Sequence, residues 1–271
     1  PSDDYDATLR AIVALVDGME TALGRQCSLG FGIPGTLSPA TGKIKNAPNA
    51  PIDGHAFDRD LEALLGRPIR MMNDANCFAL SEGSDGAARG AGIVFGVILG
   101  TGCGGGVVID GAVLRGRNAI AGEWGHNPLP WMQPAEHPGP ACKCGLSGCI
   151  ETWLSGTGFA ARHAAETGSR IDAAAIVAGA ERGDPACAKS MAQYESRLAR
   201  ALAHVINLLD PDVIVLGGGM SNVARLYDNV PPLWREWVFS DRVDTVLAPP
   251  AFGDSSGVRG AAWLWPEEAA P

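Results

Sequence analysis

The sequence is short of positive charge and of long apolar runs. It has 21 lysines and arginines against 30 aspartates and glutamates, a formal net charge of −9 at pH 7. Because nucleic acids and anionic membranes attract basic surfaces, this deficit argues against both as partners. No uninterrupted apolar stretch is long enough to cross a bilayer, and no basic start with an apolar segment indicates a secretory signal. We therefore expect a cytoplasmic protein.

Several chemical classes are excluded by missing motifs. The seven cysteines are an odd number, and without a secretory signal they indicate a reducing compartment rather than a disulfide framework. The redox motif C-x-x-C is absent, and no glycine loop ends in the G-K-[ST] of a Walker A site. Residues 100–106, GTGCGGG, satisfy G-x-G-x-x-G, but a strand follows where a dinucleotide-binding fold needs a helix.

Strand patterns alternate with helical patterns along the chain. CSLGFGIPG and PIRMMND predict short strands, and residues 93–116 predict a strand, a glycine loop and two further strands. DVIVLGGGM predicts a buried strand, and the longest helix is expected to end before Asp210 and Pro211. The pattern predicts an α/β fold with largely parallel strands, in two related halves with a boundary near Gly90.

The two glycine loops either turn the chain tightly or approach a nucleotide. The hairpin tip at residues 100–106 exposes backbone N–H groups without side-chain bulk, and Thr101 could add a hydroxyl. Gly217, Gly218 and Gly219 follow an apolar strand and precede a helix, where a flat ligand could lie against the backbone. Both interpretations stay open from the residues alone.

Asp74 stands where a predicted strand runs into a helix. Carboxyl ends of parallel strands are where open α/β sheets place ligands, and a carboxylate there can take a proton from a hydroxyl. The same position suits a helix N-cap, so Asp74 is either a cap or a base. Asn73 beside it offers both a donor and an acceptor, which suits a polyol.

A Cys3His set predicts a structural zinc ion. His126, Cys142, Cys144 and Cys149 are of the right number and type for a closed tetrahedral site, the alternative being free or redox thiols. Glu123 and Glu151 each lie close in sequence to one of these ligands. A bound metal would therefore fix two carboxylates, an arrangement that suits the hydroxyls of a sugar.

These residues resemble a known family. EWGH followed by CKCGLSGCIE is similar to the signature of the ROK family of sugar kinases and repressors, whose metal motif is C-x-C-G-x-x-G-C-x-E. GIPG, NDAN, GTGCGGG, DPDVIVLGGGMSN and GDSSGVRGAA follow in that family's order, so the resemblance covers nearly the whole chain. Within the family, GEWGHNPLPW, GCIETWLSGTGFA and GVRGAAWLW most resemble bacterial fructokinases (mannofructokinases).

The resemblance implies an actin-like ATPase (ribonuclease H-like) α/β fold with two domains around a cleft. Residues 1–90, joined by a C-terminal helix near 257–271, would form the small domain, and residues 91–256 the large domain with the metal motif and a dimerisation surface. It implies a homodimer that transfers the γ-phosphate of ATP, with Mg²⁺, to the 6-hydroxyl of a hexose. D-Fructose is the expected substrate.

The resemblance also assigns roles to residues. Asp74 becomes the catalytic base, and His126 serves both the zinc and the sugar. Thr101 and Gly102 would meet phosphates, and Gly217, Gly218 and Gly219 would line the adenosine side. The remaining sugar ligands would be Asn73, Glu123, Glu151, Gly35 and either Asn46 or Asn49.

One family segment does not occur in this sequence. ROK kinases open with a strand–turn–strand bearing D-x-G-G-T-K, which binds ATP phosphates, so we expect the first strands of the small domain to be missing. Two alternatives to a hexose kinase therefore stay open. One is a sugar-responsive ROK repressor, and the other is a sugar-binding chain made inactive by truncation.

Overall fold

The computed structural model describes residues 4–47 and 50–265. Its helices are α1 (Tyr5–Leu23), α2 (Phe57–Leu65), α3 (Asp74–Ser84), α4 (Glu151–Leu154), α5 (Gly156–Thr167), α6 (Ala173–Glu181), α7 (Pro185–Leu209), α8 (Arg225–Trp234) and α9 (Ser256–Ala262). Its strands are β1 (Gly30–Ile33), β2 (Thr36–Leu37), β3 (Ile44–Lys45), β4 (Arg70–Asn73), β5 (Ile93–Leu99), β6 (Cys103–Ile109), β7 (Ala112–Val113), β8 (Val213–Gly217) and β9 (Val246–Ala248).

The N-terminal part contains a parallel strand pair and a short hairpin. β1 pairs with β4 in parallel register, and β2 pairs with β3 antiparallel. Helices α1 and α2 cover them, and Leu9, Phe57 and Leu61 are buried with Ile33 in one apolar cluster. Because β1 and β4 are parallel, their carboxyl ends lie side by side, which brings Asn73 next to the loop after Ile33.

The largest sheet has five strands in the order β7-β6-β5-β8-β9. β5, β6 and β7 form an antiparallel meander, whereas β8 and β9 are added in parallel. The meander confirms the hairpin expected at residues 100–106, since its glycine loop is a tight turn that leaves no room for a crossover helix. Parallel pairing holds for β1–β4, β5–β8 and β8–β9.

Helix α3 follows β4 of the N-terminal part and packs on the large sheet, where it contacts glycines of β5 and β6. A Cβ on Gly96 would come 2.7 Å from the Cβ of Ala79, and one on Gly106 would come 2.7 Å from the Ala75 carbonyl oxygen. Only glycine permits this approach. The packing fixes Asp74, the first residue of α3, above the β5–β6 turn. The predicted domain boundary near Gly90 lies after this helix and stays a prediction.

Helix α7 forms the centre of the large apolar core. Tyr194, Leu198 and Leu202 are fully buried along it, and the helix ends at Leu209, as the sequence predicts. The C-terminal helix is shorter than expected where it is described, because α9 ends at Ala262, and residues 266–271 lie outside the described residues. No helix in the described ranges is long and apolar enough to cross a membrane.

Candidate functional site

A cleft of about 840 Å³ separates the N-terminal strands from the glycine hairpin of the large sheet. The end of β4, the start of α3 and the loop after β1 form one wall. The β5–β6 turn and the cysteine-rich loop form the other. The predicted residues in its lining are Gly35, Asn46, Asn73, Asp74, Thr101, Gly102, Glu123, His126, Cys144 and Glu151. Asn49 lies outside the described residues.

Asn73, and not Asp74, is the N-cap of α3. Its Oδ1 accepts a hydrogen bond of 3.0 Å from the Ala75 amide, and its Nδ2 donates to the Gly35 carbonyl at 3.2 Å. Asp74 is the first helical residue, and its Oδ1 accepts from the same amide at 2.8 Å. Since Asn73 already caps the helix, the Asp74 carboxylate is left to face the cleft.

The surroundings of Asp74 suit a proton acceptor. Its side chain is open to the cleft, but the cleft walls exclude much of the water around the carboxylate. This desolvation raises the pKa of Asp74 above its ordinary value, and the hydrogen bond from Ala75 offsets part of the rise. A carboxylate with a raised pKa is a stronger base than a free aspartate.

Trp124 anchors the segment that carries Glu123 and His126. Its indole Nε1 donates to the Gly104 carbonyl at 3.0 Å, and its ring packs edge-on against Phe95, with 5.5 Å between centroids. Burial raises the pKa of the Glu123 carboxyl, and the Asp74 and Glu151 carboxylates add to the rise against a lowering by His126. Glu123 is therefore one of three carboxylates crowded into this cleft.

The predicted metal ligands come together as one set. The ligand atoms of His126, Cys142, Cys144 and Cys149 all lie within 4.8 Å of one another. His126 Nδ1 is 3.5 Å from Cys142 Sγ, and Cys144 Sγ is 3.6 Å from Cys149 Sγ. Ligands of a tetrahedral zinc, at about 2.3 Å for sulfur and 2.0 Å for nitrogen, are about 3.5–3.8 Å apart. These two distances match those values and the other pairs lie within 4.8 Å, so the four residues can hold such an ion with small side-chain adjustments.

Glu151 begins α4 immediately after the cysteine-rich loop. Its Oε2 accepts from the Cys103 amide at 3.0 Å, and its Oε1 lies 3.1 Å from Lys143 Nζ. A Cβ on Gly102 would come 2.9 Å from Oε2, so a side chain there would displace the carboxylate. The carboxylate is thereby attached to the glycine hairpin at the floor of the cleft.

A second cavity of about 660 Å³ continues from the hairpin between α5, α6 and the segment after β8. Thr101 lines both cavities, and the hairpin is tied to α5 because Thr157 Oγ1 donates to the Thr101 carbonyl at 2.7 Å. The new cavity is largely apolar, with Val177, Met220 and Val223 in its wall. Its position next to the hairpin suits the flat base of a nucleotide.

The three predicted nucleotide glycines have different surroundings. Gly219 lines the second cavity, and a Cβ there would meet nothing within 4 Å. A Cβ on Gly217 would come 2.7 Å from the Phe78 ring, and one on Gly218 would come 2.7 Å from the Leu99 carbonyl. Gly217 and Gly218 are thus required by packing, and among the described residues only Gly219 of the three lines either cavity.

Comparison with known proteins identifies the family. The ROK family profile matches residues 1–268. The chain belongs to the ROK family. An N-acetyl-D-glucosamine kinase from Photobacterium profundum is 38% identical over 268 residues, covering 97% of this chain and 88% of that kinase. The actin-like ATPase fold expected for a ROK family sugar kinase is thereby confirmed.

Two solved structures of the ROK family, a hexokinase and a transcriptional regulator, have the same fold as this chain. The ROK hexokinase from Thermus thermophilus superposes with a TM-score of 0.86 at 31% identity, over 97% of this chain and 87% of that one. A ROK family transcriptional regulator, a homologue of the E. coli MLC protein, superposes with a TM-score of 0.81 at 26% identity, over 96% of this chain and 68% of the regulator. Fructokinase is not supported, because relatives 37–38% identical to this chain are N-acetyl-D-glucosamine kinases.

Lys143 is a residue of the ROK cleft that sequence reasoning missed. It lies between two metal ligands and lines the cleft next to Glu151. Its charge inside the cysteine motif was a visible signal, but the sequence does not show which way the side chain points. Gly156 and Thr157, which join the hairpin to α5, were missed because a GTG sequence suggests only a turn or a helix start.

Proposed function

We propose that this ROK family sugar kinase transfers the γ-phosphate of ATP to a hydroxyl of N-acetyl-D-glucosamine. The observation that carries the proposal is the set of Asn73, Asp74, Glu123, His126 and Glu151 around one cleft, beside the glycine hairpin. Relatives that are 37–38% identical over 97% of the chain are N-acetyl-D-glucosamine kinases, which favours that sugar over fructose.

Asp74 would act as the general base. Its carboxylate faces the cleft and has a raised pKa, so it can accept the proton of the attacking sugar hydroxyl as the oxygen forms its bond to phosphorus. Asn73 cannot replace it, because a neutral carboxamide is not basic enough to accept the proton. The leaving ADP carries away the electrons of the broken P–O bond.

The other polar groups would bind and orient the sugar. Glu123 and Glu151 can accept hydrogen bonds from hydroxyls, and His126 can offer Nε2 while Nδ1 faces the metal position. Asn46 is the candidate on the opposite wall, where it lines the cleft. Asn49, the other candidate, lies outside the described residues.

A structural zinc would hold the sugar ligands in place. The four ligands form a closed set, which leaves no open coordination position for chemistry. When bound, the ion supplies rigidity to the segments that carry His126 and Glu151. Mg²⁺ would enter with ATP and neutralise phosphate charge.

The nucleotide would span both cavities. Phosphates would meet the backbone of Thr101 and Gly102 at the hairpin, and the adenine would enter the apolar cavity lined by Gly219. The hairpin is shared by the two cavities, so it is suited to hold the group that passes between nucleotide and sugar.

A coupled ADP-release assay with a panel of sugars tests the proposal. We expect N-acetyl-D-glucosamine to give a kcat/KM at least tenfold above D-fructose, with glucose, D-mannose and N-acetyl-D-mannosamine as the other sugars. D-Fructose as the best substrate would contradict the assignment.

A sugar-responsive regulator is the second candidate function. It is favoured by the superposition on the ROK transcriptional regulator, a structure of which this chain covers 68%. It predicts sugar binding without turnover, so ATP-dependent phosphorylation of any sugar in the panel decides against it. A homodimer also stays a prediction, which sedimentation velocity can check.

A further inference from the structure

We propose that Lys143 is a positioning residue that holds Glu151 in the geometry needed to bind the sugar. This inference rests on the proposed function. Its basis is an ion pair across the cysteine-rich loop: Lys143 Nζ lies 3.1 Å from Glu151 Oε1. A bound metal would fix the backbone on both sides of Lys143, because Cys142 and Cys144 are members of the candidate ligand set.

Lys143 completes the hold on the Glu151 carboxylate. Oε2 accepts a hydrogen bond from the Cys103 amide at 3.0 Å, and Lys143 is the only cation among the described residues that forms an ion pair with Oε1. With both oxygens held, the plane of the carboxylate is fixed relative to the hairpin. Without Lys143 only one hydrogen bond remains, and the carboxylate can rotate about it.

Charge in the cleft supports the same role. Asp74, Glu123 and Glu151 place three carboxylates in one lining, whereas Lys143 is the only lysine or arginine among the described residues that line either cavity. Like charges at such a site repel one another, and a cation beside one of them reduces the cost of bringing them together. Lys143 therefore favours the arrangement in which Glu151 stays turned into the cleft.

The size of the effect is limited by solvent. The Lys143 side chain is 60% exposed, while that of Glu151 is 13% exposed. An ion pair with one exposed partner is screened, so it orients a neighbour more than it stabilises the fold. We expect Lys143→Met to weaken sugar binding by about threefold to tenfold and to leave the melting temperature unchanged.

The test is calorimetric titration of the full chain with N-acetyl-D-glucosamine, followed by steady-state kinetics. Lys143→Met should raise the sugar Kd and KM by that factor, with kcat and the KM for ATP within twofold of the wild type. Lys143→Arg, which keeps the cation, should restore most of the affinity. Lys189→Met is the matched control, since Lys189 is also an exposed lysine paired with a glutamate, Glu166.

A double-mutant cycle shows whether Lys143 acts through Glu151. In a Glu151→Gln background, Lys143→Met should add less than twofold to the sugar Kd. Full additivity of the two changes would overturn the proposal, as would an effect confined to the KM for ATP. Metal content per chain is measured for each variant, and an affinity loss seen only in variants that lose metal would also overturn it.

The outcomes separate this inference from the proposed function. A wild-type chain that binds none of the sugars overturns both. A wild-type chain that binds N-acetyl-D-glucosamine while Lys143→Met binds it equally well overturns the role of Lys143 alone.

Discussion

The Glu151 carboxylate is hydrogen-bonded to the Cys103 amide at 3.0 Å, which joins the cysteine-rich loop to the glycine hairpin. Glu151 follows the predicted metal ligand Cys149 by two positions, and Cys103 begins β6 directly after the hairpin turn. Glu151, which is proposed to bind sugar, is thus attached to the hairpin that is proposed to bind phosphate. We therefore expect sugar binding to depend on whether the cysteine-rich loop is held in this conformation.

Removal of the proposed metal should weaken sugar binding. Cys149→Ser takes a buried ligand from the set, so we expect loss of about one metal ion per chain and a rise of at least tenfold in the sugar Kd. Elemental analysis and calorimetry measure the two effects. Cys27→Ser is the control, because Cys27 is outside the ligand set. A metal-free variant with wild-type sugar affinity would show that the loop does not position the site.

The pH profile should report the raised pKa of Asp74. A base must be unprotonated to act, so kcat/KM is expected to fall as pH drops through that pKa, at a value above the roughly 3.9 of a free aspartate. Circular dichroism over the same range confirms that the fold persists. An acid limb at or below the free value would mean that Asp74 is not desolvated in the working enzyme.

Glu136 should be important for stability and not for catalysis. It is buried between Arg197 and Arg200, with hydrogen bonds of 2.8 Å to each. Burial opposes its ionisation, but the two arginines outweigh this and lower the pKa of Glu136 to about 2. Glu136→Gln leaves the buried Arg200 without an anion and Arg197 with only the 3.8 Å contact to Glu166, so we expect a loss of about 3–5 kcal/mol in the free energy of unfolding.

Urea denaturation of Glu136→Gln beside Glu166→Gln checks this. Glu166 contacts Arg197 only at 3.8 Å and is more exposed, so its substitution should cost under about 1 kcal/mol. The stabilisation by Glu136 is present above the unfolded carboxyl pKa of about 4.3 and is lost as pH falls towards 2. Equal losses for the two variants would contradict the buried ion pairs.

The glycines after β8 should separate nucleotide binding from packing. Gly219→Val places a side chain in the second cavity, so the KM for ATP should rise several-fold at an unchanged melting temperature. Gly217→Ala would press against the Phe78 ring, and we expect it to lower the melting temperature. The two readouts are thermal unfolding and ATP kinetics. An unchanged KM for ATP in Gly219→Val would place the nucleotide elsewhere.

Sequence patterns predicted which residues belong to the site better than they predicted where each side chain points. The Cys3His set could be found because its residue types admit few other roles, and the strand end at Asp74 could be found from the change in hydrophobic period. The Asn73 cap could not be separated from an Asp74 cap, since both side chains suit that position and only the bond to Gly35 distinguishes them.

The features that the sequence patterns did not predict depend on packing between segments that are distant in the chain. Gly217 packs on Phe78, whereas Gly219 opens into a cavity. This difference depends on how α3 crosses the large sheet. The pairing of Lys143 with Glu151 likewise depends on how the cysteine-rich loop turns. The prediction of fructose depended on resemblance in single motifs. Relatives matched over nearly the whole chain are N-acetyl-D-glucosamine kinases instead.

The most direct test of the account is the activity of Asp74→Asn. The substitution keeps the shape of the side chain but removes the base, so ATP-dependent phosphorylation of N-acetyl-D-glucosamine should fall by about 10²–10⁴-fold while the sugar Kd changes only several-fold. That result would establish Asp74 as the proton acceptor. A variant that retains more than a tenth of the wild-type kcat with normal sugar binding would contradict it.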